Sequence, residues 1–177
     1  MGELHPTTTD DTSLIWAAVA VIICPEPDSF LLIRRAVRSG DPWSGHMALP
    51  GGRRDLRDES LLATAARETR EEVGIELSPS HLIGTLGDVI PRTPVLPPIA
   101  VRPFVFLAAR CPELTLSDEV ASSRWVPLDE LLSPGTACTT SVQVAGEIRE
   151  VPAYRVGESV IWGMTERILT ELVQHLR

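Results

Sequence analysis

Three glutamates stand close together in the stretch RETREEVGIEL, residues 67–77. Glu68, Glu71 and Glu72 are spaced i, i+3 and i+4, so their carboxylates share one face if the stretch is helical. Gly74 predicts the end of that helix and places the last two acids beside the negative end of its dipole. Like charges at these spacings destabilise a helix by roughly 0.2–0.5 kcal/mol per pair, so local physics opposes this arrangement.

The acids have an ordinary and a functional explanation. The ordinary one is a solvated, charged helix face. The functional one is a divalent cation, which would turn the repulsion between the carboxylates into coordination. Mg²⁺ takes oxygen ligands and commonly bridges to the phosphates of a substrate. The spacing of the acids therefore favours a metal site that holds a phosphorylated molecule.

Residues 60–73 predict the helix that carries these acids. Asp58 or Ser60 can cap its start. An apolar stripe with the glutamates pointing elsewhere is predicted from Leu62, Ala65, Ala66, Thr69 and Val73. The glycines of LPGG, at positions 51 and 52, are either ordinary turn residues or a place where the backbone approaches an anion or lends a carbonyl to a metal.

The rest of the chain predicts strands and one further helix. The predicted strands and the closing helix occupy residues 14–24, 30–35, about 81–90, 100–109 and 122–126, a hairpin within 142–156, and a helix at about 159–176. PRTPVLPP and SPGTACTT, at residues 91–98 and 133–140, predict loops. This mixed order indicates an α/β or α+β sandwich, with a loose tail at 1–12 and one domain at 13–177.

The composition narrows the class of protein. The chain has 177 residues, 44% of them hydrophobic, which is enough for one domain with a core. Its net charge of -8 disfavours a nucleic-acid polymer or an anionic membrane as partner, although a bound divalent metal would admit a small polyanion. The apolar run at residues 14–24 is too short to span a bilayer.

The cysteines and the N-terminal residues indicate the cellular compartment in which we expect the protein. Three widely separated cysteines without a CxxC pair indicate neither a disulfide framework nor a thiolate zinc site. The first residues lack the basic region of a signal peptide. We therefore expect a protein of the reducing cytoplasm.

The segment GGRRDLRDESLLATAARETREEVGI, residues 51–75, resembles the Nudix box, whose pattern is G-x5-E-x7-R-E-U-x-E-E-x-G-U with U a bulky apolar residue. The second half of the pattern is matched position for position by Arg67, Glu68, Glu71, Glu72, Gly74 and Ile75. Two departures occur: Thr69 replaces an apolar residue, and Gly52 precedes Glu59 by seven positions rather than six. We expect the additional residue to lie in the loop and to leave the helix intact.

Segments around the box resemble the coenzyme A pyrophosphatase branch of that family. They are GGxxDxxDxS within the box, LLIRR before it, and VRPFVFLAA, LTLSDEVASSRWVPLDELL and IWGMTERILTEL after it. The upstream signature of the branch, LLTxRS followed by GxxxFPGG, is matched with Ile33 for Thr, Ala36 for Ser and one additional residue in GDPWSGHMALPGG. Because those positions are expected to help recognise the substrate of the branch, the resemblance supports hydrolysis more strongly than coenzyme A specificity.

The resemblance implies a Nudix α/β/α sandwich around a mixed sheet, and hydrolysis of a nucleoside diphosphate linked to another moiety. The implied ligands of Mg²⁺ or Mn²⁺ are the Gly52 carbonyl, Glu68, Glu71 and Glu72. The metal would polarise a phosphoryl oxygen and activate water, with Glu68 as a candidate base as well as a ligand. Arg67 would position the glutamates, with Glu59 as its candidate partner.

Further residues are candidates for the site. Glu119 is either an additional ligand or base, or a plain loop acid. The arginines near the box, either phosphate contacts or solvated surface, are Arg34, Arg35, Arg38, Arg53 and Arg54. His46 is either a polar contact or structural, and Trp43 either stacks on a base or fills a crevice.

Three functions follow as hypotheses. The first is a Mg²⁺-dependent pyrophosphohydrolase of coenzyme A or acyl-CoA, giving 3′,5′-ADP and a phosphopantetheine. The second is a general or housecleaning nucleotide pyrophosphatase acting on nucleoside triphosphates, ADP-ribose or dinucleotides. The third is a Nudix module that binds nucleotides without catalysis, which the three intact acids oppose. A homodimer is compatible with each of them.

Overall fold

The computed structural model describes residues 14–25, 27–92, 98–144 and 146–176, so the predicted tail at 1–12 and most of PRTPVLPP lie outside the described residues. The elements, in chain order, are β1 Ile15–Cys24, β2 Ser29–Arg35, β3 Met47–Ala48, β4 Gly51–Arg53, α1 Leu61–Val73, β5 Leu82–Thr85, β6 Ile99–Leu107, β7 Val120–Pro127, α2 Leu128–Leu132, β8 Ala137–Val144, β9 Glu147–Val156, β10 Ser159–Trp162 and α3 Met164–Leu176. In this described part of the chain, no helix is long and apolar enough to cross a bilayer.

Strand β1 is the centre of a mixed sheet. It pairs in parallel with β6 over its length and antiparallel with β2 at one end and β4 at the other. Strand β2 also pairs with β3 and β7, and β6 pairs with β5. Strands β8, β9 and β10 form a separate antiparallel sheet. The predicted mixed central sheet is confirmed.

The sheet is covered on both faces, which explains why β1 is a continuous apolar run rather than an alternating one. Val21 and Ile23 of β1 belong to the core that includes Leu169 of α3. Ala20 and Ile22 point to the other side and belong to the core that includes Ala65 and other residues of α1. Helices α1 and α3 therefore lie on opposite faces, as an α/β/α sandwich requires.

Helix α1 begins and ends where its sequence predicts. Ser60 is the N-cap, and its side-chain oxygen accepts a hydrogen bond from the Ala63 N–H at 3.1 Å. Gly74 adopts a left-handed conformation with φ 74°, and its N–H donates to the Arg70 carbonyl at 3.0 Å. The extra residue in the box thus leaves the helix intact.

The β6–β7 loop, residues 108–119, closes the end of α1. The Thr115 N–H donates to the carbonyl of Val73, and the Ser117 N–H donates to that of Glu72, each at 3.0 Å. Carbonyls in the last turn of a helix have no partner within the helix and must find one elsewhere. Here that partner comes from a loop about forty residues downstream, so the end of α1 is fixed by tertiary structure.

Some predicted boundaries were wrong. The closing helix begins at Met164, because residues 159–162 form β10 and pair with β9. SPGTACTT is only partly a loop, since β8 begins at Ala137 and pairs with β9 in a hairpin longer than predicted. The run SVIW is too short for its periodicity to distinguish a strand from the first turn of a helix. The short elements β3, β4 and α2 were not predicted for the same reason.

The expectation of unpaired cysteines was also wrong. Cys24, at the end of β1, forms a disulfide with Cys111 in the β6–β7 loop, with Cα atoms 5.1 Å apart. The two residues are 87 positions apart, so no local spacing announces the pair. Cys138 is free. The pairing removes the observation on which the expectation of a reducing compartment rested.

This disulfide predicts a dependence of stability on redox conditions. Because it closes an 87-residue interval of chain, Cys111→Ser is expected to lower the free energy of unfolding by about 2–4 kcal/mol. Urea denaturation monitored by fluorescence measures the change, and Cys138→Ser serves as the matched control. Equal midpoints for the wild type with and without a reducing agent would contradict the prediction.

Candidate active site

The predicted ligands meet where α1 packs against β4. Gly52 pairs with Ala18 of β1, which fixes the strand in the sheet. A Cβ atom at Gly52 would lie 2.5 Å from the carboxyl carbon of Glu68. Only glycine therefore allows the carboxylate of the helix to approach the strand this closely. The structure brings Gly52 and Glu68 together, as the sequence predicted.

Glu72 is buried, with 2% of its surface exposed. Its Oε2 accepts a hydrogen bond from the Gly51 N–H at 2.9 Å. Burial raises the pKa of Glu72 to about 7, although the Gly51 hydrogen bond acts in the opposite direction. The prediction that all three glutamates point away from the buried stripe was wrong here, because Glu72 follows the buried Ala65 and Thr69 at i+7 and i+3.

Arg67 binds the other two glutamates. Its Nη1 lies 2.9 Å from Oε1 of Glu68 and 3.0 Å from Oε2 of Glu71. Burial raises the pKa of Glu68, and the charge of Arg67 opposes that shift. Glu71 is half exposed. The predicted role of Arg67 in positioning the glutamates agrees with these contacts.

The acid that anchors Arg67 is Asp58, and the prediction of Glu59 was wrong. Nε and Nη2 of Arg67 each lie 2.9 Å from an oxygen of Asp58, in a two-pronged pair. Asp58 is buried and also accepts from the Thr64 hydroxyl at 2.9 Å, whereas Glu59 is exposed. The hydrogen bonds from Arg67 hold the pKa of Asp58 well below its usual range.

A signal for Asp58 was present in the sequence. It follows Gly52 by six positions, which is the spacing G-x5-E of the box with Asp in place of Glu. Relative to the box, the additional residue therefore lies between this acid and Arg67.

Glu119, at the end of the β6–β7 loop, faces the same cluster. Its negative charge contributes to raising the pKa of both Glu68 and Glu72, so its carboxylate lies within electrostatic reach of them. Its own carboxylate accepts a hydrogen bond from Nη1 of Arg38 at 2.9 Å. The structure thus brings Glu119 to the acids of α1, although they are about fifty residues apart in sequence.

Carboxylate oxygens are suitable ligands for a hard cation, but the carboxylates of Glu68, Glu71 and Glu72 each contact another group of the protein. Within the described ranges, no three acidic, histidine or cysteine side chains are arranged to hold one metal ion as they stand. Glu68 and Glu71 point to Arg67, and Glu72 points to the Gly51 N–H. All three supply carboxylate oxygens, and the buried Glu72 forms no ion pair with any of the described residues. A cation would draw these oxygens from their present partners.

Arg35 lies on the side of the cluster where Glu72 is buried. Its positive charge acts to lower the pKa of Glu72, against the larger effect of burial. Nη2 of Arg35 pairs with Asp41 at 2.8 Å, which fixes the guanidinium. Its buried Nε has no hydrogen-bond partner in the described parts of the chain. A buried donor without a partner costs free energy, and an incoming anion would satisfy it.

The remaining candidates differ in their surroundings. Arg34 and Arg53 are exposed, and Arg34 donates to the Gly45 carbonyl at 3.3 Å. His46 is half buried, with its ring centroid 4.7 Å from that of Trp162. Burial lowers the pKa of His46, so its ring is neutral near pH 7. Trp43 packs against the core and fills a crevice, in agreement with one of its two interpretations.

Known proteins similar to this chain are Nudix proteins or uncharacterised relatives. A family model described as the NUDIX domain matches residues 15–144. An uncharacterised protein of Schizosaccharomyces pombe is 44% identical over 81% of this chain and 50% of its own length. The uncharacterised Nudix hydrolase NudL of Photorhabdus laumondii is 33% identical over 97% of this chain and 90% of its own length. The chain therefore spans half of one relative and nearly all of the other.

A solved structure shows the same fold. The crystal structure of a MutT/nudix family protein from Enterococcus faecalis superposes with a TM-score of 0.68 at 20% identity. The match covers 96% of this chain and 64% of that protein. The layers described above, a mixed sheet between helices, are thus those of the Nudix fold.

The pair of Asp58 and Arg67 predicts a difference between two neighbouring acids. Because Asp58 is buried and makes two charge-assisted hydrogen bonds, Asp58→Asn is expected to lower the free energy of unfolding by about 2 kcal/mol. Glu59→Gln, at the exposed adjacent position, is the matched control and is expected to leave it unchanged. Urea denaturation at pH 7 measures the free energy of unfolding of both variants. Equal losses of stability in the two would contradict Asp58 as the partner of Arg67.

Glu72 predicts how the stability of the metal-free protein changes with pH. Its pKa in the folded protein, about 7, lies above its usual value of 4.5. Protonation of Glu72 therefore favours the folded state, and this contribution to the free energy of unfolding is fully present below pH 4.5 and is lost as pH rises through 7. The loss is about 3 kcal/mol at most. Thermal melts between pH 5 and pH 8 (about 0.5 unit apart) measure it. Glu72→Gln should flatten the profile, and an unchanged slope in that variant would contradict the assignment.

Proposed function

Because the chain belongs to the NUDIX domain family, we propose that it is a divalent-metal-dependent hydrolase that cleaves the diphosphate of a nucleoside diphosphate linked to another moiety. The observation that carries this proposal is the acid face of α1 held against the glycines of β4. Gly52 leaves room for Glu68, and Gly51 donates to the buried Glu72. A protein that only bound nucleotides would not need this costly concentration of carboxylates.

The residues of the chain have separate tasks in this proposal. Glu68, Glu71 and Glu72 would hold Mg²⁺ or Mn²⁺, with the Gly52 carbonyl as a candidate further oxygen. When bound, such an ion polarises a phosphoryl oxygen and lowers the pKa of a water ligand. Asp58 holds Arg67, and Arg67 holds two of the glutamates at one edge of the site. This arrangement holds the carboxylates of Glu68 and Glu71 close to the place where a cation would bind.

The proton from the attacking water needs a base, and two residues of the site are suited to it. Burial raises the pKa of Glu68, which brings its proton affinity closer to that needed near neutral pH. Glu119 lies within electrostatic reach of Glu68 and is the second candidate for a base or a further ligand. We propose Glu68 as the base and keep Glu119 as the second candidate for that role.

The substrate in this proposal is a polyanion bound beside the metal. Arg35 supports it because its buried Nε lacks a partner among the described residues and its charge reaches Glu72. Arg34 and Arg53 are exposed and available to contact further phosphates. His46 is neutral near pH 7 and offers a polar contact rather than a positive charge.

Coenzyme A or acyl-CoA is the substrate that we propose first, on the resemblance of the segments around the box. Cleavage of its diphosphate by water gives 3′,5′-ADP and a phosphopantetheine. General nucleotide pyrophosphatase activity is the alternative, since the upstream signature is matched with substitutions at Ile33 and Ala36. We propose small-molecule partners rather than a nucleic-acid polymer or a membrane, in line with the net charge of -8. A homodimer belongs to the same proposal, and so does a cytoplasmic location, where the Cys24–Cys111 pair would be kept reduced.

A substrate panel tests the proposed function. Coenzyme A, acyl-CoA, ADP-ribose, NADH, nucleoside triphosphates and dinucleoside polyphosphates are incubated with the protein and either Mg²⁺ or Mn²⁺. Products are separated by liquid chromatography. We expect coenzyme A or acyl-CoA to give the highest kcat/KM. Faster turnover of another substrate would reject the specificity, and no turnover of any would reject the hydrolase.

Substitution of the acids tests the assignment of the site. Glu72→Gln retains shape and removes charge, so it is expected to lower kcat by at least about 100-fold, because it removes a direct ligand rather than a supporting contact. Glu76→Gln, an exposed acid just after α1, is the matched control with unchanged kcat. Activity of Glu72→Gln within about twofold of the wild type would place the metal elsewhere.

A further inference from the structure

Glu119 is held at two points by residues 36–38, which follow strand β2. The Ala36 N–H donates to the Glu119 carbonyl at 2.8 Å. Nη1 of Arg38 donates to Oε1 of Glu119 at 2.9 Å. The backbone N–H of Arg38 donates to the hydroxyl of Ser44 at 2.8 Å, which fixes the turn from which Arg38 extends. Both the backbone and the carboxylate of Glu119 are thus oriented by one short segment.

The ion pair contributes little to the stability of the fold. About half of each side chain is exposed, 50% for Arg38 and 53% for Glu119. Exposed ion pairs gain little from Coulomb attraction, because water and salt screen the charges. A structural role alone therefore predicts a small effect of removing Arg38.

The place of the pair in the acid cluster suggests another role. Glu68 and Glu71 share Arg67, and Glu72 lies in the field of Arg35. Glu119 has Arg38 as its ion-pair partner. The acids are thus associated with Arg67 of α1 and with Arg35 and Arg38, at and just after the end of β2. Arg38 differs from the others because, in the described part of the chain, its contact with the cluster is the ion pair with Glu119.

We infer that Arg38 is a positioning residue, which acts through Glu119 by holding its carboxylate beside the acid face of α1. This inference rests on the proposed function, since it assigns Arg38 to the site where the metal and the diphosphate would bind. The sequence offered Arg38 only as a phosphate contact or as solvated surface. The contact with Glu119 distinguishes a third role, in which the effect of Arg38 depends on the presence of a charged Glu119.

A double-mutant cycle tests this dependence. Arg38→Ala is measured in the wild-type background and in the Glu119→Gln background, with the best substrate of the panel and Mn²⁺. We expect kcat/KM to fall by about tenfold in the first background and by less than about twofold in the second. Equal reductions in the two backgrounds, or no reduction in the first, would overturn the inference. Equal reductions would mean that Arg38 acts on the substrate directly.

Two further variants separate positioning from structure. Arg38→Lys retains a cation that can donate the single hydrogen bond observed, so it is expected to recover most of the activity lost in Arg38→Ala. A loss as large as that of Arg38→Ala would count against the inference. Arg149→Ala is the matched control, because Arg149 forms a similarly exposed pair with Glu147 at 2.9 Å on β9. Its kcat/KM should equal that of the wild type.

Mn²⁺ binding without substrate gives a second, independent readout. Isothermal titration calorimetry measures the Kd of Mn²⁺ for the same four proteins of the cycle. We expect Arg38→Ala to change the Kd severalfold in the wild-type background and by less than about twofold when Glu119 is Gln. If the wild type hydrolyses no substrate, the proposed function fails, and this titration alone decides the role of Arg38. If Arg38→Ala changes the Kd by the same factor in both backgrounds, the inference that Arg38 acts through Glu119 is overturned.

Discussion

The close approach of α1 to β4 is the constraint on which the rest of the site depends. A Cβ at Gly51 would lie 2.3 Å from the Ala18 carbonyl, and one at Gly52 would collide with the carboxylate of Glu68. Gly51 therefore lets β4 lie close against β1, and Gly52 lets the carboxylate of Glu68 on α1 approach β4. The central position of β1, paired on both sides, holds that strand in place. The acids are thus presented beside the central strand of the sheet.

Such packing creates an electrostatic problem that the protein addresses with arginines. A buried carboxylate loses the hydration that stabilises its charge, and its neighbours of the same sign increase the cost. Arg67, itself anchored by Asp58, neutralises two of the acids without entering the core. Glu72 remains the acid with the least compensation. The site therefore stores repulsion that a divalent cation would relieve, and this links its energetics to the proposed chemistry.

Features set by local sequence were predicted, and features set by distant contacts were not. The ends of α1 followed from Ser60 and Gly74, and the α/β or α+β class followed from the order of predicted strands and helices. The mixed sheet followed from the resemblance to the Nudix box. The burial of Glu72 was missed because a charged residue was excluded from the stripe by its type, although its position on the helix belongs there. The Cys24–Cys111 pair and the hold of Arg38 on Glu119 join segments 87 and 81 positions apart, which no periodicity records.

The closure of α1 by the β6–β7 loop has a consequence for the order of folding. Thr115 and Ser117 are the residues that complete the last turn of the helix, and both follow β6 in the chain. Until β6 has paired with β1, the carbonyls at that end lack their partners while the acids already repel one another. Contacts between residues so distant in sequence form late, because the intervening chain must first be ordered. During synthesis, the acid face of α1 therefore acquires its final shape only after residues up to 117 have been made.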